Sequence, residues 1–190
     1  MTILLKNNLS YNLNPNNFTA NIVFSPKAKN FVVIPQSIIH ELHEYKITKI
    51  SEDSFKNNTR IKSIEFADDS ELKIIEKNAF FGSSIKYLSI PQTVTELKSG
   101  WCVGATSLID ITLSPGNKFF TYVDEEQKLI ATKSDSKSDL FDVVIFACRD
   151  IVRTEIPSKI KIIRSNSFSD CKHLENVTFS ENSELEIIEK

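Results

Sequence analysis

The first candidate for chemistry is the histidine pair in the segment His40-Glu-Leu-His43-Glu44, whose side chains are of the metal-ligating type. Metalloprotease helices space two histidines four residues apart, because that spacing turns both rings toward one ion. Here the spacing is three, and the segment lies in an extended loop of the chain rather than on a helix. We therefore predict a surface turn at this position and no metal site.

Nucleophilic or acid–base catalysis would require other residue combinations. Cys171 and His173 are close in sequence, but a cysteine–histidine dyad also needs a third group that orients the histidine, and packing explains both residues. Carboxylates such as Glu65 and Glu155 are not spaced as a glycosidase pair. The four glycines form neither a nucleophile elbow nor a phosphate-binding loop. We predict no catalytic residue and no cofactor.

Cysteine count and charge limit the remaining classes. Cys102, Cys148 and Cys171 are too widely spaced for a disulfide framework or a zinc motif, so we expect buried apolar roles for them. A net charge of −2 gives no general attraction to nucleic acids. The longest apolar run, residues 143–148, is far shorter than the roughly 18 residues of a transmembrane helix. The apolar part of residues 1–6 is too short for a secretory signal.

Internal repetition is the strongest pattern in the chain. The segments 70–77 and 183–190 are identical at seven of eight positions. A six-residue frame precedes both, with apolar residues at positions one, four and six, as in Ile61-x-x-Ile64-x-Phe66. Stronger and weaker copies begin at residues 29, 61, 85, 108, 151 and 174. The usual step is about 23 residues, and the step of 43 corresponds to one repeat plus an insertion of about 20.

The rest of each repeat follows the same order. Three frames run directly into a proline, which ends a strand because it cannot donate a backbone hydrogen bond. A second apolar pair follows, and then polar residues before one aromatic, as in Ser51-Glu-Asp-Ser-Phe55. These features predict a β-rich, right-handed solenoid of about six repeats, with short helical or 3-10 turns at its corners.

The two ends and the insertion deviate from the repeat. Residues 1–28 are Asn-rich and are interpreted as a cap-like segment, with a strand within 18–24, ahead of a solenoid over 29–190. Residues 114–150 interrupt the repeat and are predicted to contain a β-hairpin, because a polar turn at 124–127 separates two apolar runs. The last repeat lacks its corner aromatic, which indicates a truncated repeat.

The candidate binding residues are the outward positions three and five of each frame. Side chains alternate between the faces of a strand, so these positions face away from the core. The row is polar with an apolar end, and comprises Phe31, Val33, Ser63, Glu65, Tyr87, Ser89, Asp110, Thr112, Arg153, Glu155, Asn176 and Thr178. Both a solvated strand face and a protein-binding face with aromatic anchors are consistent with it.

The repeats resemble the BspA-like leucine-rich repeats, also called the LRR 5 type, of bacterial and protozoan surface proteins. The resemblance rests on the frame Leu-x-x-Ile-x-Ile-Pro, the later Val-x-x-Leu, and closing segments such as Asn78-Ala-Phe80 and Ser167-Phe-Ser-Asp-Cys171. An Asn-x-x-Phe start at Asn117 followed by a hairpin also matches. The resemblance covers about residues 29–190 and implies a leucine-rich-repeat solenoid that is displayed on a surface and mediates adhesion.

Three functional hypotheses follow. The leading one is a non-catalytic adhesion or protein-binding module, a surface antigen whose partner is a host cell-surface or matrix protein. The second is an intracellular, cytoplasmic scaffold for protein–protein interaction, which the missing export signal and the unpaired cysteines favour. The third, a carbohydrate hydrolase on a β-solenoid, is disfavoured because no carboxylates cluster in the sequence.

Overall fold

The computed structural model describes residues 2–190, which contain eighteen β-strands and no helix. The predicted solenoid is confirmed, because successive coils stack and pair their strands along one axis. In chain order the strands are β1 (Thr2–Lys6), β2 (Leu9–Asn14), β3 (Thr19–Val23), β4 (Asn30–Ile34), β5 (Ser37–His40), β6 (His43–Ile50), β7 (Ile61–Phe66), β8 (Ile74–Ile75), β9 (Tyr87–Ile90), β10 (Glu96–Leu97), β11 (Asp110–Leu113), β12 (Thr121–Tyr122), β13 (Leu129–Thr132), β14 (Val143–Ala147), β15 (Arg153–Ile156), β16 (Ile162–Ile163), β17 (Asn176–Phe179) and β18 (Ile187–Ile188).

The six-residue frames form the first ladder of parallel strands. Strands β4, β7, β9 and β11 make one four-stranded sheet, and β15 and β17 make a separate pair. Frame positions one, four and six face inward, and Ile61, Ile64 and Leu88 are almost completely buried. The alternation therefore places positions three and five on the opposite face, as the sequence pattern predicts.

The short second strands form another ladder on the far side of the coil. Strands β6, β8 and β10 pair in parallel, as do β14, β16 and β18. At the N-terminal end, β1, β2 and β3 form an antiparallel meander, and β3 continues the ladder by pairing in parallel with β6. Residues at the start of the chain thus cover the first coil of this ladder, while β4 remains the terminal strand of the other sheet.

The corners differ from the predicted helical turns. Each full corner consists of successive hydrogen-bonded four-residue turns, for example Phe81 N to Asn78 O and Ser83 N to Phe80 O. Left-handed residues recur at intervals of four, at Asp53 and Asn57, Asn78 and Gly82, Gly100 and Gly104, and Asn166 and Asp170. A positive φ cannot continue a right-handed helix, so the Asn, Asp and Gly residues at these positions divide each corner into separate turns.

Aromatic rings stack through the corners from coil to coil. Phe55 stacks on Phe80 at 5.1 Å between centroids, and Phe80 meets the edge of Trp101 at 5.9 Å. Trp101 in turn contacts Phe146 at 5.8 Å. Backbone bonds accompany the stack, since Phe55 N donates to Ala79 O and Phe80 N donates to Trp101 O, each at 2.8 Å. The corners of these coils therefore form a third ladder.

The fourth coil has a shorter corner than the others. In the fifth coil Leu174 follows Ile163 by eleven residues, whereas in the fourth coil Ile151 follows Val144 by only seven. One four-residue turn is therefore absent. The corners on either side meet directly across the gap, because Gly104 N donates to the Asp170 carboxylate at 2.7 Å.

Arg149 occupies the space that the absent turn would fill. Its side chain is almost fully buried, with the guanidinium 4.6 Å from the centroid of the Phe146 ring. The guanidinium donates to Ala147 O at 3.0 Å and contacts Cys102 Sγ at 3.3 Å. Within residues 2–190 no carboxylate forms an ion pair with Arg149, and its Nε has no hydrogen-bond partner. Cation–π and backbone contacts offset part of the cost of its burial.

The residues between 114 and 150 contribute both a hairpin and a regular strand of the coil. Strands β12 and β13 form an antiparallel hairpin, and β13 continues into an antiparallel pair with β14. Strand β14 belongs to the second ladder through its parallel pairing with β16. Both faces of β14 are buried, with Phe146 in the larger core cluster and Val144 in the smaller one. This double burial explains why 143–148 is the longest apolar run.

We expect Phe80→Ala to lower the free energy of unfolding by about 3–5 kcal/mol, because the substitution leaves a cavity in the aromatic stack. The matched control is Phe81→Ala, whose ring is partly exposed at the same corner and should change stability by less than about 1 kcal/mol. Urea unfolding monitored by circular dichroism measures both. Equal losses in the two variants would contradict the role assigned to the stack.

Candidate functional site

The N-terminal half of the predicted face carries an aromatic row. The register aligns Phe31 with Ser63, and Ser63 with Tyr87. Phe31 is 77% exposed and Tyr87 is 45% exposed, whereas Ser63 is buried. Ser63 is therefore not accessible on this face, although the register places it between the exposed Phe31 and Tyr87. Asp110 continues the row beside Tyr87 and is exposed.

A second row runs beside the first at frame position five. Val33 pairs with Glu65, and Ser89 pairs with Thr112. Val33 is 65% exposed, Glu65 and Thr112 are also exposed, and Ser89 is half-buried. The structure thus brings the predicted residues of β4, β7, β9 and β11 together on one continuous sheet surface, which we call the sheet face.

The remaining predicted residues form a separate group. Arg153 pairs with Asn176, and Glu155 pairs with Thr178, all four exposed on β15 and β17. This pair of strands does not join the four-stranded sheet, because the β12–β13 hairpin stands between β11 and β15. The Tyr122 hydroxyl donates to Ile111 O at 2.6 Å and so occupies the edge of β11 that would otherwise continue the sheet.

A groove of about 490 Å³ lies between the hairpin turn and β15. Its lining combines four carboxylates with one guanidinium, and consists of Val123, Asp124, Glu125, Glu126, Arg153, Thr154, Glu155, Pro157 and Ser180. Sequence reasoning missed this grouping, since only the tertiary fold brings the turn over β15. The acidic run 124–126 was recognised only as a turn signal.

Several of these charged groups already have partners. The Asp124 carboxylate accepts from Lys128 N at 3.0 Å and Leu129 N at 2.7 Å, which makes it a cap of the hairpin turn. The Glu155 carboxylate accepts from the Ser180 hydroxyl. Arg153 lies 4.0 Å from Glu175 in an exposed ion pair that contributes little to stability. The arrangement is therefore a polar, acidic recess next to an exposed strand.

Cys102 and Cys148 are buried near the short corner, and Cys171 is partly buried there. Burial raises the pKa of Cys102 to about 12, against the opposing effect of the Arg149 guanidinium. Burial also raises the pKa of Cys148 to about 12 and raises that of Cys171. A nucleophilic cysteine needs a lowered pKa, so these shifts do not activate the thiols.

The histidine pair lies at the tip of a hairpin. His40 and His43 are cross-strand neighbours in the β5–β6 hairpin, on either side of the left-handed residues Glu41 and Leu42. The His43 ring stacks on Phe18 at 5.3 Å. Among residues 2–190, no three His, Cys, Asp or Glu side chains are grouped to hold a metal ion. The exposed tip is a surface turn, as the sequence indicates.

Stacked coils, parallel ladders and regularly spaced inward apolar residues define a leucine-rich-repeat solenoid. The model of the BspA type leucine rich repeat region matches residues 36–129 and 134–190 in six copies. The chain belongs to this family, whose repeat fold is generally a non-catalytic scaffold. No curated protein sequence matches the chain.

Solved structures show the same fold at low sequence identity. A leucine-rich repeat protein from Eubacterium ventriosum aligns with a TM-score of 0.53 at 14% identity, over 100% of this chain and 62% of that chain. A leucine-rich cell surface protein from Faecalibacterium prausnitzii aligns with a TM-score of 0.50 at 14% identity, over 100% of this chain and 73% of that chain. Residues 2–190 contain no helix that is long and apolar enough to span a bilayer.

We expect Cys102 and Cys148 to resist alkylation by iodoacetamide at pH 8. A pKa of about 12 leaves the folded thiols protonated, whereas unfolded cysteines with a pKa of about 8.5 are partly ionised. Labelling at both positions, mapped by peptide mass spectrometry, should be at least about a hundredfold slower in native protein than in 6 M guanidinium.

The same shifts predict a pH effect on stability. Because the folded thiols bind protons more tightly than the unfolded thiols, the free energy of unfolding should fall as pH rises above about 8.5. The Cys102→Ala and Cys148→Ala variants should each show a weaker decline.

In the iodoacetamide experiment, labelling of native protein as fast as that of unfolded protein would show that the corner is open.

Proposed function

We propose that this protein is a non-catalytic binding or adhesion module that recognises a partner protein through its sheet face. The observation that carries the proposal is the exposure of Phe31, Val33 and Tyr87 on one continuous sheet surface. Large apolar side chains left uncovered in a group are the usual anchors of protein interfaces. Glu65, Asp110 and Thr112 beside them supply a polar rim.

The proposed setting is the cell surface, with a host cell-surface or matrix protein as the partner. Membership of the BspA-type family supports this, as does the description of the Faecalibacterium neighbour as a cell surface protein. Arg153, Glu155, Asn176 and Thr178 form a second, polar part of the binding surface in this proposal, beside the acidic hairpin groove. Electrostatic complementarity there would act on partner selection more than on affinity.

An intracellular scaffold is the second candidate, and the free thiols favour it. Cys102, Cys148 and Cys171 form no disulfide, which is typical of proteins kept in a reducing compartment. The sequon asparagines Asn8, Asn17, Asn57 and Asn176 are all exposed, so an exported copy made in a glycosylating cell offers acceptor sites. Cell fractionation, with a mobility-shift assay after glycan removal, separates the two candidates.

The double variant Tyr87→Ala/Arg153→Ala tests the proposed surface. Both side chains are exposed, so their removal should leave the melting temperature nearly unchanged. We expect binding to the best ligand in a panel of immobilised extracellular-matrix proteins, measured by biolayer interferometry, to weaken at least about tenfold.

The matched control is Lys77→Ala/Phe81→Ala, which removes one cation and one partly exposed aromatic at a corner away from the sheet face. This variant should bind like the parent protein. Equal affinity of the parent and the Tyr87/Arg153 variant would exclude this surface, and the absence of any matrix ligand in the panel would argue against the adhesion role.

A further inference from the structure

Strand β4 has one edge without a backbone partner. Asn30 N donates to Arg60 O at 2.9 Å, and Ile34 O accepts from Ala67 N at 3.0 Å, so the even-numbered residues face β7. Backbone groups alternate in direction along a strand, and those of Phe31 and Val33 therefore point away from β7. Within residues 2–190 they have no hydrogen-bond partner, and β4 is the last strand of its sheet.

The space beside this edge is a groove rather than open surface. Asn7 and Asn8, in the turn between β1 and β2, line this groove together with Tyr11 and residues of β4. The groove has a volume of about 310 Å³ and runs along residues 29–33. A strand that pairs with β4 lies about 4.8 Å from it and would occupy this groove.

Two exposed side chains flank the free backbone groups. Phe31 and Val33 project from the same face of β4 and are 77% and 65% exposed. A segment that added to the edge would place alternate side chains against these two residues. Main-chain hydrogen bonds would then supply affinity and the two side chains would supply selectivity, as in recognition by strand addition.

The charge of the region favours an acidic occupant. The first forty residues contain no Asp and no Glu. Lys29 lines the groove, and the exposed Lys6 and Lys27 lie within two residues in sequence of the lining residues Asn7 and Lys29. In the part of the chain that the structure describes, none of these lysines is in an ion pair. Complementary charge would accelerate association and exclude basic segments.

Two other interpretations of this edge are weaker. Lysine and proline often protect edge strands from pairing, and Lys29 and Pro35 bracket β4, but they leave the five residues between them open. A second copy that paired through its own β4 would bring two sets of these lysines together. That arrangement is repulsive, so a different protein is the better occupant.

We propose that the free edge of β4 binds an extended, acidic segment of a partner protein, which adds to the four-stranded sheet as a fifth strand. The backbone of Phe31 and Val33 would make the hydrogen bonds, and the lysines would contact the acidic residues of the segment. This edge is distinct from the use of the sheet face, because it depends on backbone groups and not on Tyr87 or Arg153.

The probe is the acetylated heptapeptide Glu-Glu-Val-Thr-Val-Glu-Glu, added to the whole chain at low salt. Amide hydrogen exchange, followed by nuclear magnetic resonance, should slow at least about tenfold at Phe31 and Val33. The amides of Val32 and Ile34, which already face β7, should change little. The peptide Lys-Lys-Val-Thr-Val-Lys-Lys should bind at least about tenfold more weakly by isothermal titration calorimetry.

Paired variants separate the backbone from the side chain. Val33→Pro removes an N–H that faces the groove, and we expect it to weaken peptide binding at least about tenfold. Val33→Thr keeps the N–H and the branched shape and should bind within about threefold of the parent. Tyr87→Ala should bind the peptide as the parent protein does. Loss of peptide binding would therefore test the β4 edge, and loss of matrix-protein binding in the Tyr87/Arg153 variant would test the sheet face.

Peptide variants protect the test against a misfolded Val33→Pro protein. N-methylation of alternate peptide residues removes the donated hydrogen bonds without touching the protein, and should also weaken binding at least about tenfold. Equal binding of the acidic and basic peptides, or of the methylated peptide, would overturn the proposal. A last outcome would assign the edge to a second copy of this chain. In that case the Phe31 and Val33 amides would become more protected as protein concentration rose without peptide, and sedimentation would show a dimer.

Discussion

Stacking of one coil on the next is the interaction on which every other feature of this protein depends. A single coil has an apolar inner side that it cannot bury, and the buried rings of Phe55, Phe80 and Trp101 each contact a ring of a neighbouring coil. The same stacking brings the frame strands into parallel register. Residues about 23 positions apart in sequence thereby become neighbours on the sheet face. The candidate binding surface therefore depends on the stacking of the coils.

The fourth coil shows how this stacking tolerates irregularity. Its corner is one turn shorter, and Arg149 fills the gap with a planar group that continues the aromatic stack beside Phe146. The direct bond between Gly104 and Asp170 joins the flanking coils across it. This coil also has extra residues between its strands β11 and β14, and these residues form the β12–β13 hairpin. Because that hairpin stands between β11 and β15, the outer surface has an aromatic part and an acidic part.

The two proposals use these surfaces for two kinds of recognition. The sheet face presents side chains, among which Phe31 and Tyr87 are suited to a well-packed interface, while the free edge of β4 presents unpaired backbone groups. Neither depends on reactive chemistry. Cys102 and Cys148 are buried with raised pKa values, and His40 and His43 lie at a hairpin tip.

The sequence by itself determined the repeat, the strand frames and the direction in which each side chain points. These features are local, because alternation along a strand and a recurring apolar pattern are specified within one repeat, and each repeat contacts mainly its neighbours. Tertiary structure alone decided the burial of Ser63, the position of Arg149, the division of the outer surface and the free edge of β4. Each of these depends on contacts between segments far apart in sequence, whose packing no local pattern encodes.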